Sequence, residues 1–296
     1  FPYTTLFRSS SQHQLNVLRG APNATNPSEC MVFEFFGHGT NMAVEEAADG
    51  TYIWLGSHGN KGSDKSYGGS QTICRVKYEP GTSVQLAGGD VFHLKGTRNI
   101  HPAINVEKDL LGVQYSKKVS GVNTRVFVTY RLSEAMKLAP VDVALEPLKY
   151  GGEDEATSEK TVTLTVKARE LSQLQPLYQF AVSDGHGGSV GELAFQGYDI
   201  DEQFVYYYEG MGYLEVDPSK AYVSVLDKNG LLSARKEVAA VADAEKLNEF
   251  GMTDRGYMEA EGIKVKNGTL YLGFASRKME GKDDKRLANI LIYRNK

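Results

Sequence analysis

The sequence is poor in the residues that mark several protein classes. Its only cysteines are Cys30 and Cys74, too few and too far apart for a disulfide framework or a zinc-ligand pattern. No apolar run reaches the ~18 residues of a membrane-spanning helix. The 33 basic residues are outnumbered by 37 acidic ones and form no basic stripe, so we expect no nucleic-acid partner. The motif HExxH is missing, and we predict neither a cofactor nor a metal.

What the chain has in abundance is aromatic and alternating sequence. It contains 17 tyrosines and 12 phenylalanines, and apolar and polar residues alternate in TYIWLGS, LLGVQYS, FVYYYEG, AYVSVLD and TLYLGFAS. These runs are bounded by Gly, Asp, Asn or Pro, which is typical of strands and turns. Helical periodicity is scarce, and we expect helices only within 238–250 and, with a weaker pattern, within 132–138.

Four segments of the chain resemble one another. They are GHGTNMAVEEAADGTYIWLGS (37–57), HPAINVEKDLLGVQYS (101–116), QGYDIDEQFVYYYEG (196–210) and AEGIKVKNGTLYLGFAS (260–276). Each reads as a polar or glycine start, a short strand, a charged turn and an aromatic strand. Most are followed by two further strand-like runs, and four strands per repeat are typical of β-propeller blades. We therefore predict an all-β fold, a five-bladed β-propeller with four-stranded antiparallel blades.

The repeat pattern has two irregularities. RVFVTYRLSEA and VDVALEPL are assigned to the second repeat. The long interval 137–195, in which VDVALEPL lies, is interpreted as an insertion of outer strands on one blade, with an extra blade as the alternative. The last blade shows only three strands: AEGIKVK, TLYLGFAS and RLANILIYR.

The opening residues FPYTTLFRS (1–9) are encoded by TTT CCC TAC ACG ACG CTC TTC CGA TCT, which resembles a common sequencing-library adapter. We interpret 1–9 as an adapter-derived artefact, with a natural disordered N-terminus as the alternative, and expect it to pack against nothing. Residues 10–296 are predicted to form a single propeller domain whose first blade is incomplete, retaining LNVLRG and ECMVFEFF.

Polar residues recur at the places where the chain leads into each repeat, which we call the repeat starts, and we predict that they bind a ligand. They are His38, Asn41, Arg98, His101, Gln196, Tyr198, Glu259 and Glu261. Their equivalent positions should bring them to one mouth of a central channel, where converging donors and acceptors suit a sugar or a phosphate. The competing interpretation is that they bond neighbouring backbone and lock blade to blade.

A catalytic site is a second possibility. Glu259 and Glu261 lie two residues apart on one strand, whereas glycosidases hold two carboxylates across the scissile bond. Glu261 with Asp199 from another blade could do so, and His38 and His101 with Glu261 could bind a metal. The only tryptophan, Trp54, lies in an alternating strand and is expected to pack inside.

The order of several motifs is similar to that of a known family. GHGTNMAVE, YIWLGS, HPAIN, RVFVTYRLSEAM, FQGYDIDEQFVYYYEG and EAEGI…LYLGFAS…RLANILIYR follow one another over residues 15–296. This order resembles the β-propeller of teichoic acid biosynthesis protein C-like proteins and of staphylococcal podophage receptor-binding proteins. The long 137–195 interval and the stretch 238–256 depart from the family pattern.

The resemblance implies a non-catalytic module outside the cell or at its surface. Its partner would be a cell-envelope glycan or a teichoic-acid-type polymer. The alternatives are a secreted glycan hydrolase or lyase that uses His38, His101 and Glu261, and a structural platform of a phage tail or surface assembly.

Overall fold

A computed structural model describes residues 3–8, 13–21, 28–62, 67–151, 158–183, 190–212, 219–254, 256–280 and 283–294. In chain order its strands are β1 (Tyr3–Arg8), β2 (Gln14–Gly20), β3 (Glu29–Glu34), β4 (Ala43–Ala47), β5 (Gly50–Ser57), β6 (Asn60–Lys61), β7 (Tyr67–Gly68), β8 (Thr72–Lys77), β9 (Ser83–Gln85), β10 (Asp90–His93), β11 (His101–Asn105), β12 (Leu110–Val119), β13 (Val122–Arg131), β14 (Val141–Ala144), β15 (Leu148–Tyr150), β16 (Lys160–Val162), β17 (Thr165–Glu170), β18 (Tyr178–Ser183), β19 (Phe195–Ile200), β20 (Phe204–Met211), β21 (Lys220–Asp227), β22 (Leu232–Glu237), β23 (Met258–Lys266), β24 (Thr269–Glu280) and β25 (Asp283–Arg294). The helices are α1 (Leu132–Lys137) and α2 (Ala244–Glu249), with short 3-10 helices at Val106–Lys108, Leu171–Gln173 and Ala239–Ala242.

The strands form five main sheets, which are the blades of the predicted five-bladed β-propeller. Their strand orders are β1-β2-β3-β9, β4-β5-β8-β10-β17-β14, β11-β12-β13-β18, β19-β20-β21-β22 and β23-β24-β25. Two small ladders, β6-β7 and β15-β16, accompany them. Each of the four repeated segments supplies the first two strands of a sheet, as predicted.

The chain divides into two compact units. Unit 1 consists of Phe1–Lys117 and Phe127–Leu177, and unit 2 of Lys118–Val126 and Tyr178–Lys296. One core of unit 1 contains buried residues of β2, β3, β5 and β8, and another lies between β14, β15 and β17. A core of unit 2 joins β20, β21, β23 and β24 to α2. Alternating strand residues bury one face in each case, which is why the period-two pattern predicted these elements.

The expectation that residues 1–9 pack against nothing is wrong. Tyr3–Arg8 form β1, which pairs antiparallel with β2 from Tyr3 opposite Gly20 to Arg8 opposite Leu15. The edge of β2 presents backbone donors and acceptors that any extended segment can satisfy, and the threonines and aromatics of YTTLFR favour the extended conformation.

The long interval after α1 does contribute outer strands, but to a different blade from the one predicted for VDVALEPL. Strands β14 and β17 extend the second sheet, and the fourth strand of the third sheet is β18. Strand β17 belongs to the second sheet because it pairs in parallel with β10. There the Arg169 guanidinium contacts the Asp90 carboxylate at 2.8 Å, and His93 Nδ1 lies 2.5 Å from Glu170 Oε2. No additional blade occurs among the described residues.

The predicted helices and the short last blade are confirmed. Leu132–Lys137 is α1, and the segment 238–250 contains a 3-10 turn followed by α2. The Asp243 side chain accepts a hydrogen bond from Lys246 N at 3.0 Å and so caps α2 at its N-terminus. The last sheet has three strands in the described chain, which are the three predicted.

Candidate functional site

The first repeat start, GHGTN, leads into β4 in unit 1. His38 is exposed, whereas the Asn41 side chain is buried. Asn41 Nδ2 donates a hydrogen bond of 2.5 Å to the carbonyl oxygen of Pro102 in β11. Asn41 therefore joins the starts of the first and second repeats, which is the locking role that the sequence left open as the alternative.

The second repeat start leads into β11. The Arg98 side chain is 64% exposed and forms an ion pair with the carboxylate of Glu146, which is itself 56% exposed. His101, the first residue of β11, is only 3% exposed and lies directly opposite Gln114 in the β11–β12 ladder. Arg98 is thus accessible to a ligand from solvent, and the imidazole of His101 is not.

The first and second repeat starts touch through closely packed backbone. Ser70 Oγ donates to the Ile100 carbonyl oxygen at 2.9 Å, and the Gly37 N–H donates to the Gly56 carbonyl oxygen at 3.1 Å. A Cβ atom at Gly56 would lie 2.7 Å from the Ile100 oxygen, and one at Gly37 would lie 2.9 Å from the Ser70 Cβ. The glycines of GHG and WLGS are therefore what lets the repeat starts of unit 1 meet.

Unit 2 brings the third and fourth repeat starts together in a similar way. Gln196 Nε2 donates to the Gly210 carbonyl oxygen at 3.3 Å. A Cβ atom at Gly210 would lie 2.6 Å from the Ala260 Cβ, so this backbone packs against the repeat start that carries both predicted glutamates. Tyr198 is 1% exposed and belongs to the core.

The two glutamates have different surroundings. The β23–β24 ladder shifts register between Ala260 and Gly262, which makes Glu261 the extra residue of a β-bulge. Glu261 is exposed, whereas Glu259 is half-buried and accepts a hydrogen bond from the Tyr257 hydroxyl. Burial, together with this bond, raises the pKa of Tyr257 to about 12.

The structure thus brings together the predicted residues in pairs of repeat starts, one pair within each unit. Of the eight, His38, Arg98 and Glu261 are exposed, Gln196 and Glu259 are half-buried, and Asn41, His101 and Tyr198 are buried. The convergence of all four repeat starts on one channel mouth stays a prediction.

Asp199, one of the residues considered for catalysis, is engaged in structural contacts. Asp199 is 2% exposed, and its carboxylate accepts hydrogen bonds from Lys264 Nζ at 3.0 Å and Val265 N at 2.7 Å. Burial raises the pKa of Asp199. Within the described ranges, no three His, Cys, Asp or Glu side chains are grouped so that they could hold a metal ion.

The interior role predicted for Trp54 is confirmed. The side chain has no exposed surface, and its ring stacks on Phe92 with 5.1 Å between centroids. Its Nε1–H donates to Glu45 at 2.8 Å, and the same carboxylate accepts two bonds from Arg75. Trp54 therefore offers no face to a sugar.

One aromatic group in unit 1 has no signature in the sequence. The Phe35 ring has three aromatic neighbours, with centroids 5.2 Å away in His13 and 5.5 Å away in Tyr67 and Tyr150. Tyr67 is buried, and the other three rings are half-buried. We call these four residues the aromatic shelf. Its members are too distant in sequence for any local pattern to have connected them.

Comparison with known proteins gives no relative: the chain matches no protein-family model, no curated protein and no solved structure. Across the parts of the chain that are described, no helix combines the length and apolar character needed to cross a membrane.

Proposed function

We propose that this protein is a non-catalytic recognition module that binds a cell-envelope glycan or a teichoic-acid-type polymer. The observation that carries the proposal is the contact of the repeat starts within each unit, which leaves His38 and Arg98 exposed in unit 1 and Glu261 exposed in unit 2. Charged and polar side chains held by closely packed backbone suit hydroxyl and phosphate groups.

Burial of two of the proposed catalytic groups, His101 and Asp199, favours binding over bond cleavage. Of the three residues assigned to a hydrolase or lyase, His101 is enclosed and cannot approach a polymer in solvent. Asp199, the candidate second carboxylate, is held by Lys264 and Val265. A glycosidase needs two carboxyl groups about 5 to 9 Å apart on either side of a substrate, and the buried Asp199 cannot serve as one of them.

The resemblance to teichoic acid biosynthesis protein C-like and podophage receptor-binding propellers supports the same proposal. The proposal includes a location outside the cell or at a cell surface. Propellers serve many functions, so the fold alone does not identify a ligand. The resemblance suggests the class of ligand, and the exposed side chains suggest which chemical groups of the ligand are bound.

Incubation with purified bacterial wall polysaccharides tests the proposal. We expect binding by calorimetry, without new reducing ends or unsaturated products. Arg98→Gln should weaken binding, whereas Arg131→Gln, an exposed arginine on β13, is the matched control and should not. Polymer cleavage would establish the enzyme instead. A failure to bind any wall polymer would overturn the proposal and leave a structural platform.

A further inference from the structure

We infer that the aromatic shelf and Lys160 form a subsite that stacks one pyranose ring of an anionic glycan. This inference rests on the proposed function and names the part of the ligand that unit 1 recognises. The apolar C–H face of a sugar ring packs on aromatic side chains, while a nearby cation takes a phosphate or carboxylate substituent.

The first support is the accessibility of the rings. His13, Phe35 and Tyr150 are half-buried, and buried Tyr67 also contacts the Phe35 ring. The rings of His13 and Phe35 are nearly parallel, at 20°, whereas the Tyr150 ring is tilted by 54° to that of Phe35. The rings therefore lie at two inclinations, and the half-buried rings keep part of their surface accessible to a sugar ring.

The second support is the backbone of Phe35. It has φ of 58°, a left-handed conformation that costs a bulky residue free energy. Two hydrogen bonds hold it there, from Phe35 N to the His13 carbonyl oxygen at 2.8 Å and from Gly59 N to the Phe35 carbonyl oxygen at 2.9 Å. A Cβ atom at Gly59 would lie 2.3 Å from the Phe36 oxygen, so only glycine allows this approach. The fold maintains an aromatic ring at a position where glycine or asparagine would be less strained.

The third support is the fixed position of Tyr150. Lys149 N donates to Asn60 Oδ1 at 2.7 Å, and Gly151 N donates to the Tyr67 hydroxyl at 3.0 Å. Both residues flanking Tyr150 are thus anchored to β6 and β7. A ring that is already in place loses little side-chain entropy when it binds a ligand.

Lys160 supplies the charge. It lies directly opposite Tyr150 in the β15–β16 ladder, so both side chains leave the ladder on the same face. Lys160 is exposed, whereas the neighbouring Glu159 carboxylate lies 3.7 Å from Lys61 Nζ and is thereby partly neutralised. The cation beside the ring favours a sugar that carries a phosphate or carboxylate.

The experiment compares poly(glycerol phosphate) bearing glucosyl substituents with the same polymer without them. Calorimetry is done on the wild type, Tyr150→Ala, Tyr150→Phe and Lys160→Gln, with circular dichroism to verify folding. Tyr293→Ala, at a 41% exposed tyrosine on β25, is the matched control. We expect the wild type to prefer the glucosylated polymer. Tyr150→Ala should bind it about tenfold more weakly, as the loss of one stacked ring implies, whereas Tyr150→Phe and the control should bind it like the wild type.

The outcomes separate the two proposals. If the wild type binds neither polymer nor other wall glycans, the proposed function fails. If it binds both polymers equally and a folded Tyr150→Ala variant binds as well as the wild type, the subsite is overturned and the proposed function stands. If Tyr150→Ala does not fold, the preference of the wild type and of Tyr150→Phe for glucose decides: no preference refutes the subsite. Lys160→Gln should weaken binding of the glucosylated polymer, and an unchanged affinity would refute its role.

Discussion

At the scale of single residues, His58 should make stability depend on mildly acidic pH. The ring is 4% exposed, its Nδ1 lies 2.7 Å from Thr72 Oγ1, and burial lowers its pKa from 6.5 to about 4. The unfolded chain binds the proton more readily than the folded one. The free energy of unfolding is therefore not reduced by protonation of His58 above pH 6.5. It decreases as the pH falls from 6.5 to about 4, by ~3 kcal/mol in total.

Urea unfolding at several pH values between 4 and 7 measures this decline. His58→Asn should flatten it, and asparagine tolerates the φ of 49° at this position. Equal slopes in the wild type and His58→Asn would show that His58 is not the titrating group.

The two cysteines should differ sharply in reactivity. Cys74 has no exposed surface, and burial raises its pKa to about 11, whereas Cys30 is half-buried. The thiolate is the reactive form, so an aromatic disulfide reagent should label one thiol in the native protein and both in urea. Cys30→Ser should abolish the native reaction. Persistent labelling of that variant would mean that unit 1 opens locally around Cys74.

At the scale of elements, β1 should stabilise the sheet that it borders. Its backbone pairs with β2 along six residues, and deletion of residues 1–8 would leave the β2 edge open. We expect the deletion to lower the melting temperature by several degrees, as a loss of ~1 kcal/mol or more does in a domain of this size, and to promote aggregation. Thermal unfolding and light scattering measure the two effects.

A scrambled segment of the same composition at residues 1–8 separates backbone pairing from side-chain recognition. Because a strand edge is satisfied by backbone groups, the scrambled chain should melt close to the intact one. An unchanged melting temperature after deletion would show that this segment is dispensable. A scrambled chain as unstable as the deletion would instead show that the YTTLFR side chains matter.

Local pattern was enough to predict most elements but not their partners. Alternation identified β5, β12, β20 and β24 and the hairpins they close, because burial on one face imposes a period of two. The pairing of β17 with β10 is parallel and joins residues far apart in the chain. Such partners are chosen by tertiary contacts such as Arg169 with Asp90, which no local window contains.

Some features of the candidate site could likewise be predicted from the local sequence, whereas others depend on tertiary contacts. The positions of His38 and Arg98 at the repeat starts follow from the repeat, and both side chains are exposed as a ligand site requires. The burial of Asn41 and His101 could not be read from polarity, because a polar side chain is buried readily once it finds a backbone partner. The aromatic shelf was equally hidden, since Tyr150 reaches Phe35 only through the fold.

At the scale of the whole molecule, the net negative charge of the protein disfavours binding of the anionic polymer that the exposed cations favour. The formal charge is −4, so an anionic polymer is repelled at long range. Attraction must come from individual exposed cations such as Arg98 and Lys160 at direct contact. The Debye length is about 10 Å at 0.1 M salt, so added salt screens the diffuse repulsion as well as the direct pairs.

We expect the direct pairs to dominate, because an ion pair at the surface of a polyanion also releases condensed counterions. Affinity for poly(glycerol phosphate) bearing glucose should therefore fall as salt rises. Arg98→Gln and Lys160→Gln should each reduce the slope of log affinity against log salt by about one, if each contacts one phosphate. Calorimetric titrations between low and high salt provide the slopes, with Arg131→Gln as the control that retains the wild-type value. Equal affinity across the salt range would exclude charge-driven recognition and point to the neutral sugar as the whole of the ligand, whereas affinity that rises with salt would show that the net charge outweighs both cations.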